Sequence, residues 1–179
     1  RIYLGILVTS SVVFLLFGVI SVWLLAGTLD FASGGILADR MDPAYVPLLL
    51  GLFAFGIGKA ALMPLHRWLP AAMVAPTPVS ALLHAVAVVK AGVFSMLKIS
   101  IYIFGVDFLA TTSASDWLVW VAAFSILAAS IVALSKTNLK ARLAYSTISQ
   151  LGYIVLGAAL ASPLAASGAA LHIATHATG

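Results

Sequence analysis

Three ionisable residues, Lys59, His84 and Lys90, lie far from the ends of long apolar segments. A lysine at the centre of a bilayer costs about 2.5–3.5 kcal/mol on insertion scales, so such residues usually face a protein interior or a water-filled path. A lysine near water in such a place can exchange protons. The alternative is a lysine that fixes helix packing by pairing with an acid. Lys98 lies near its segment's end and can extend to the interface.

Two further histidines, His172 and His176, lie four residues apart and share one face of a helix, as zinc ligands do. The chain has no Cys or Glu, so a third ligand would have to be His84. Bound zinc in a purified sample would support this alternative. A haem-binding, quinone-reactive cytochrome is a second alternative, which an absent Soret band would exclude. A purely structural membrane anchor is the third alternative. The cytochrome and the anchor both leave the buried lysines without a role.

The stretch FGIGKAALMPLHRWLP, residues 55–70, predicts a broken helix around Lys59. Only 15 uncharged residues separate Pro43 from Lys59, whereas a crossing takes roughly 20. The crossing is therefore expected to continue through a proline-rich region that breaks the helix, at Pro64, Pro70, Pro76 and Pro78. Carbonyls freed inside a membrane need partners from protein or a hydrated cavity. Lys59 is expected beside such a hydrated gap.

The elements that position these residues are predicted to be membrane helices. Of the 179 residues, 63% are hydrophobic and 8% are charged, with a mean hydropathy of +1.17, whereas a soluble domain is about a quarter charged. A net charge of +4 scattered between apolar spans forms no basic face for nucleic acid. The absence of Cys excludes disulfides and thiolate-held clusters. We expect one all-α transmembrane domain over residues 1–179, an internal piece of a longer chain.

About six transmembrane segments are predicted, one of them broken: 2–26, 44 to the proline region, 79–104, 117–135, 143–161 and 162 onward. Residues 27–43, 105–116 and 136–142 are expected to be loops and turns. If successive segments cross the membrane in alternate directions, the charges separate between its two sides. One side carries Arg1, Arg67, Lys136, Lys140 and Arg142. The other side carries Arg40 and all five acids, Asp30, Asp39, Asp42, Asp107 and Asp116. The first side is expected to be cytoplasmic.

Several motifs occur along the chain in a characteristic order: GKAALMPLHRWLPAAMVAPTPVSALLHA, VVKAG, LKARLAYSTISQLGYIVLG and HIATHA. They resemble the antiporter-like proton-conducting subunits of respiratory complex I, membrane-bound hydrogenases and Mrp-type cation/proton antiporters. The resemblance implies two inverted five-helix repeats, each with a broken helix. This chain would hold the end of the first repeat and the start of the second.

The resemblance also implies roles for individual residues. Lys59 matches the central proton carrier of the first half-channel, and His84 and Lys90 match relay positions in the next helix. Lys140 matches a second-repeat proton-path residue, with a simple cytoplasmic-end charge as the open alternative. His172 and His176 match an HxxxHA pattern that normally continues to a lysine beyond residue 179.

Two features restrain this interpretation. The family pairs its broken-helix lysine with a glutamate, and this sequence has none. His84 and Lys90 are six residues apart, about 240° around a regular helix, so they face different neighbours. A route through both needs a bulge, a water wire, or a branch in which His84 meets Lys59 and Lys90 meets the second repeat.

The expected function is proton movement, with exchange for sodium left open, as part of a multi-subunit cation/proton antiporter in the bacterial plasma (inner) membrane. The alternative is a proton-pumping subunit of complex I, which would be part of an NADH:quinone oxidoreductase translocase, or of a membrane-bound hydrogenase. The expected partners are other membrane subunits, the lipid bilayer and the transported ions. No cofactor and no covalent chemistry of its own are expected.

Overall fold

The computed structural model describes residues 2–38, 40–74, 76–81 and 88–178, and these residues form helices and connections without a strand. The expected all-α helix bundle is confirmed. His84, Arg1 and Asp39 lie outside the described residues.

The first helix, α1, comprises the α-helical segments Ile2–Thr9 and Leu16–Ala26 joined by the π-helical segment Ser10–Leu15. It ends at Gly27, whose left-handed conformation at φ 71° lets its N–H bond the carbonyl of Trp23. The predicted first span, residues 2–26, is confirmed. The loop that follows packs on a later helix, because the N–H of Leu37 donates to the carbonyl of Ile103 at 3.0 Å.

The second apolar helix is short and ends just before Lys59. A 3₁₀ turn, Pro43–Tyr45, leads into α2, Val46–Gly56. After Gly56 the chain unwinds, and two 3₁₀ turns, Gly58–Ala60 and Leu65–Arg67, precede two short helices: α3, Trp68–Ala72, and α4, Thr77–Ala81. The interruption begins at Ile57, seven residues before Pro64.

The third long element bends instead of ending in a loop. It contains α5, Val88–Lys98, which continues as the π-helical segment Ile99–Phe104. At Gly105 the axis turns by 80° into α6, Val106–Thr112. The expectation that residues 105–116 form a loop is wrong for this stretch. Burial decides the outcome, because Leu109 is 1% exposed and packs in the core.

The last three helices are α7, Asp116–Ser135, α8, Leu139–Ala159, and α9, Pro163–Thr178. The helix α8 begins four residues before the predicted start at 143, so the basic turn is shorter than expected. The cause is a cap, because the Asn138 side chain accepts hydrogen bonds from the N–H groups of Lys140 and Ala141. The helices α7 and α8 form an antiparallel pair, and α9 packs against α8.

By length and apolarity, two helices in the described ranges qualify as membrane spans, Leu4–Ala26 and Asp116–Ser135, or three if the bent pair α5–α6 counts as one. The other predicted segments fall short for separate reasons. The helix α2 ends at the break, α8 carries Lys140 and Arg142 in its first turn, and α9 has 16 described residues.

Candidate functional site

Lys59 lies in the unwound segment, within the 3₁₀ turn Gly58–Ala60. Its side chain is exposed and lines a cavity of about 450 Å³ between the break, α1 and α5. The α1 wall contributes Ser10 and Ser11 from the π-helical segment, and the α5 wall contributes Ser95 and Lys98. Two lysines and three serines therefore line one space, among mainly apolar neighbours.

The backbone groups freed by the interruption have polar partners. The indole N–H of the buried Trp68 donates to the carbonyl of Gly58 at 2.8 Å. The buried Ser125 hydroxyl of α7 accepts a hydrogen bond from the N–H of Met63 at 3.2 Å. Unwound backbone at membrane depth requires such partners, since an unsatisfied group there costs several kcal/mol. Trp68 and Ser125 therefore allow the break to exist next to Lys59.

The unwound segment around Lys59 packs closely against α1 and α5. A Cβ on Gly92 of α5 would lie 2.7 Å from the N of Ala60 and 2.7 Å from the carbonyl C of Lys59. A Cβ on Gly58 would collide with the hydroxyl of Ser10. The absence of side chains at Gly58 and Gly92 therefore lets the lysine-bearing turn fit between α1 and α5.

Lys90 lies on the other side of α5. Positions two residues apart on a helix are separated by about 200° around the axis, so Lys90 and Gly92 face in nearly opposite directions. Lys90 is 6% exposed, and its ammonium donates a hydrogen bond to the backbone carbonyl of His176 on α9 at 3.2 Å. Lys90 is thus a buried cation in contact with α9.

The two histidines of α9 extend this second group. The rings of His172 and His176 stack with centroids 6.1 Å apart, and the ring of Tyr153 meets His172 edge-on at 5.9 Å. The Nε2 atoms of both histidines are buried, and neither has a hydrogen-bond partner among the described residues. Lys90, His176 and His172 therefore form a contiguous series of titratable groups.

The remaining sequence-predicted residues lie elsewhere. Lys140 is partly buried in the first turn of α8, and His84 is outside the described residues. Pro64 lies within the interruption, Pro70 lies within α3, and Pro76 and Pro78 lie before and at the start of α4. Across residues 2–38, 40–74, 76–81 and 88–178, no three metal-ligating side chains cluster.

Sequence reasoning missed four contributors to the site: Ser10, Trp68, Gly92 and Ser125. A tryptophan nine residues after a lysine or a serine on a distant helix carries no recognisable signal, because each acts through a tertiary contact. It also missed that Lys98 lines this cavity, because its position near a segment end indicated contact with the membrane interface. The one available signal was glycine on both sides of Ile57, which marks close backbone approach.

Comparison with known proteins gives consistent matches. Residues 1–178 match the family model described as NADH:quinone oxidoreductase/Mrp antiporter, TM. The chain is 43% identical over 148 residues, 82% of its length, to a probable K(+)/H(+) antiporter protein of Rhizobium meliloti (strain 1021), covering 14% of that protein. It is 38% identical over 179 residues, 94% of its length, to NADH-quinone oxidoreductase subunit N of Desulforudis audaxviator (strain MP104C), covering 34% of it.

A solved structure agrees with these matches. The structure of the Mrp complex from Dietzia sp. DQ12-45-1b superposes with a TM-score of 0.82 at 34% identity, over 98% of this chain and 19% of that one. The chain thus spans between about a seventh and a third of the length of these relatives.

Proposed function

Because the chain belongs to the NADH:quinone oxidoreductase/Mrp antiporter transmembrane family, we propose that it moves protons as part of a multi-subunit cation/proton antiporter. It is an integral membrane protein with apolar helices of spanning length. The relative with 43% identity is named for K(+)/H(+) antiport, and the superposed structure is an Mrp complex. The exchanged cation is a monovalent ion, sodium or potassium.

The observation that carries this proposal is the position of Lys59 on an interrupted helix, at the edge of a cavity that Lys98 and three serines also line. An amine that binds and releases protons needs contact with water and freedom to change charge without distorting a packed helix. The unwound turn supplies both, because its backbone is stabilised by Trp68 and Ser125 and not by the lysine itself. Lys59 is the proton carrier of this half of the pathway.

The pathway continues on the far side of α5. A proton that leaves Lys59 reaches Lys90 through His84 or water, and passes on to His176 and His172. Lys140 serves the same pathway from the start of α8. Each step moves a proton between nitrogen atoms, and a change of charge at one site shifts the proton affinity of its neighbour electrostatically.

The chain acts within a larger assembly. We place the chain, on the resemblance of its motifs, at the end of one inverted repeat and the start of the next, within one transmembrane domain. Other membrane subunits are its partners, and an ion gradient or those partners supply the driving energy. The membrane is the bacterial plasma (inner) membrane, with the basic turns at Arg67 and at 136–142 on the cytoplasmic side.

A second candidate function is proton pumping within an NADH:quinone oxidoreductase. The 38% identity to a subunit N and similar identities to subunits named L and 5 favour it. The same lysines and histidines would carry protons, and the partners and energy source would differ. Quinone-dependent proton transport by the purified assembly, without cation exchange, would support this candidate.

The test replaces Lys59 in the complete protein and measures proton transport in membrane vesicles. Lys59→Ala is expected to lower transport on the order of a hundredfold or more while the assembly stays intact, because the proton-carrying amine is lost. Lys59→Arg should also fail, since a guanidinium does not release its proton. Lys136→Gln, a charge removal in the basic turn, is the control and should transport normally. Ordinary transport by Lys59→Ala would refute the proposed role.

A further inference from the structure

We propose that Lys98 is a second proton-carrying lysine, which links Lys59 to the side of the membrane occupied by the loop between α1 and α2. This inference rests on the proposed function. It adds Lys98 to the proton pathway and gives the pathway an exit toward the loop between α1 and α2. The sequence alone suggests that Lys98 extends to the interface. The structure instead places it in the same cavity as Lys59.

One face of α5 forms the wall between the two lysines. Ala91, Ser95 and Lys98 recur at helical spacing on this face, and all three line the cavity. Gly92, which contacts the Lys59 turn, lies about 9 Å along the helix axis from Lys98 and about 120° around it. Both lysines therefore line one space, and Ser95 is the polar side chain that α5 adds to its wall.

Three serines among the mainly apolar walls of this space offer hydrogen-bonding sites to water. Ser10, Ser11 and Ser95 each donate a hydrogen bond to a carbonyl of their own helix, so their oxygens remain able to accept from water or an ammonium. A volume of about 450 Å³ holds several water molecules at about 30 Å³ each. No acid is among the described residues that line the cavity, so neither lysine is fixed there by an ion pair.

An aromatic cage holds the outer lysine. The Lys98 ammonium lies 4.3 Å from the ring centroid of Phe31, 5.9 Å from that of Phe94 and 5.8 Å from that of Tyr102. Aromatic faces attract a cation without accepting its proton, so the cage holds the Lys98 side chain at the cavity wall without blocking proton release. Phe31 belongs to the loop after α1, so the Lys98 ammonium contacts the loop toward which we propose the proton leaves.

The proton step is balanced without a co-reactant. The ammonium of one lysine gives a proton to cavity water, and the neutral amine of the other takes one from the same water chain. Only N–H and O–H bonds break and form, and the total charge of the pair is unchanged. Lys98 then exchanges its proton with the aqueous phase beside the loop.

The experiment compares Lys98→Gln and Lys98→Arg in the complete assembly. Lys98→Gln should lower proton transport in vesicles on the order of a hundredfold, because no group remains at this part of the cavity wall to carry the proton. Lys98→Arg keeps the cation and the cage but not the proton release, and it should assemble normally and fail equally. Normal transport by either variant overturns the proposal, since rescue by arginine would mean that the residue is only an anchor.

A second measurement tests the water connection independently of folding defects in those variants. The chain has no Cys, so a single cysteine can be introduced once accessible cysteines elsewhere in the protein are replaced. Ser95→Cys should react with a charged, membrane-impermeant thiol reagent added on the loop side. Val93→Cys is the matched control, because Val93 lies two residues away and is 0% exposed. An unreactive Ser95→Cys overturns the proposal.

The outcomes separate this inference from the proposed function. If Lys59→Ala abolishes transport while both Lys98 variants transport normally, only the role of Lys98 is lost. If Lys59→Ala transports normally, the proposed function fails regardless of the result at Lys98.

Discussion

Lys59 and Lys90 lie against opposite sides of α5, in different environments. Lys59, whose turn contacts Gly92, borders an open cavity that Lys98 also lines, and the backbone around Lys59 is unwound. On the other face, Lys90 is 6% exposed among packed helices, and its described hydrogen bond goes to the carbonyl of His176. One helix therefore separates an open cavity from a buried lysine that contacts α9.

The difference indicates two ways to accommodate a cation within the bilayer. The unwound turn exposes Lys59 to a cavity and satisfies the broken backbone with Trp68 and Ser125. The packed face keeps regular helices and accepts the cost of burying Lys90, reduced by one backbone acceptor. The first arrangement leaves an amine open to the cavity, and the second places an amine against α9, beside His176.

The sharpest test of this comparison replaces the buried lysine. Lys90→Met in the complete protein should lower proton transport in vesicles on the order of a hundredfold, because the amine that we propose as the proton carrier on this side of α5 is lost. Assembly and thermal stability should be equal or higher, since methionine has similar bulk without the cost of burying a charge.

The control for this variant is Val88→Met, which adds a methionine two residues earlier on the same helix and should transport normally. Transport at the wild-type level by Lys90→Met would break the comparison. It would mean that the two faces of α5 do not work in series and that Lys90 serves packing alone.

A second test disturbs the boundary between the two faces. Gly92→Ala places a Cβ 2.7 Å from two backbone atoms of the Lys59 turn, and backbone cannot move aside as a flexible side chain can. We expect a loss of about 1–3 kcal/mol in the free energy of unfolding, measured by thermal denaturation of the purified assembly. Transport should fall because the Lys59 turn shifts.

Gly168→Ala is the matched control for this change. A Cβ at Gly168 on α9 meets nothing within 4 Å, so alanine there should be neutral or stabilising by up to about 1 kcal/mol. Equal stability of Gly92→Ala and the wild type would show that the turn is not held by this contact.

The sequence predicts the long apolar helices well because their signal is local. The absence of charge over residues 2–26 and 117–135 is sufficient to identify these spans, and the 15 uncharged residues before Lys59 are sufficient to require a break nearby. The start of the break is less predictable. It begins at Ile57 because glycines at 56 and 58 pack against α1, a tertiary contact that proline positions do not reveal.

The site is less predictable than the fold for the same reason. The assignment of Lys98 to the interface follows from its distance to a segment end, whereas its cage depends on Phe31, which lies 67 positions earlier in a loop. The helix 106–112 forms because the core buries Leu109, although the local sequence is typical of a loop. Contacts between distant segments decide both cases.

The smallest expected effect tests whether the break is held by its hydrogen bonds. Ser125→Ala removes the acceptor of the Met63 N–H and should cost about 1 kcal/mol of stability. Hydrogen exchange at the Met63 amide should become faster, because that N–H loses its protein partner. Ser130→Ala makes the same chemical change on α7 but removes a hydroxyl pair with Ser149 at 2.9 Å, away from the break, and should leave Met63 exchange unchanged. Equal exchange at Met63 in both variants would mean that Trp68 and the close packing at Gly92 suffice to hold the turn, and that the open face of α5 depends on packing more than on hydrogen bonds.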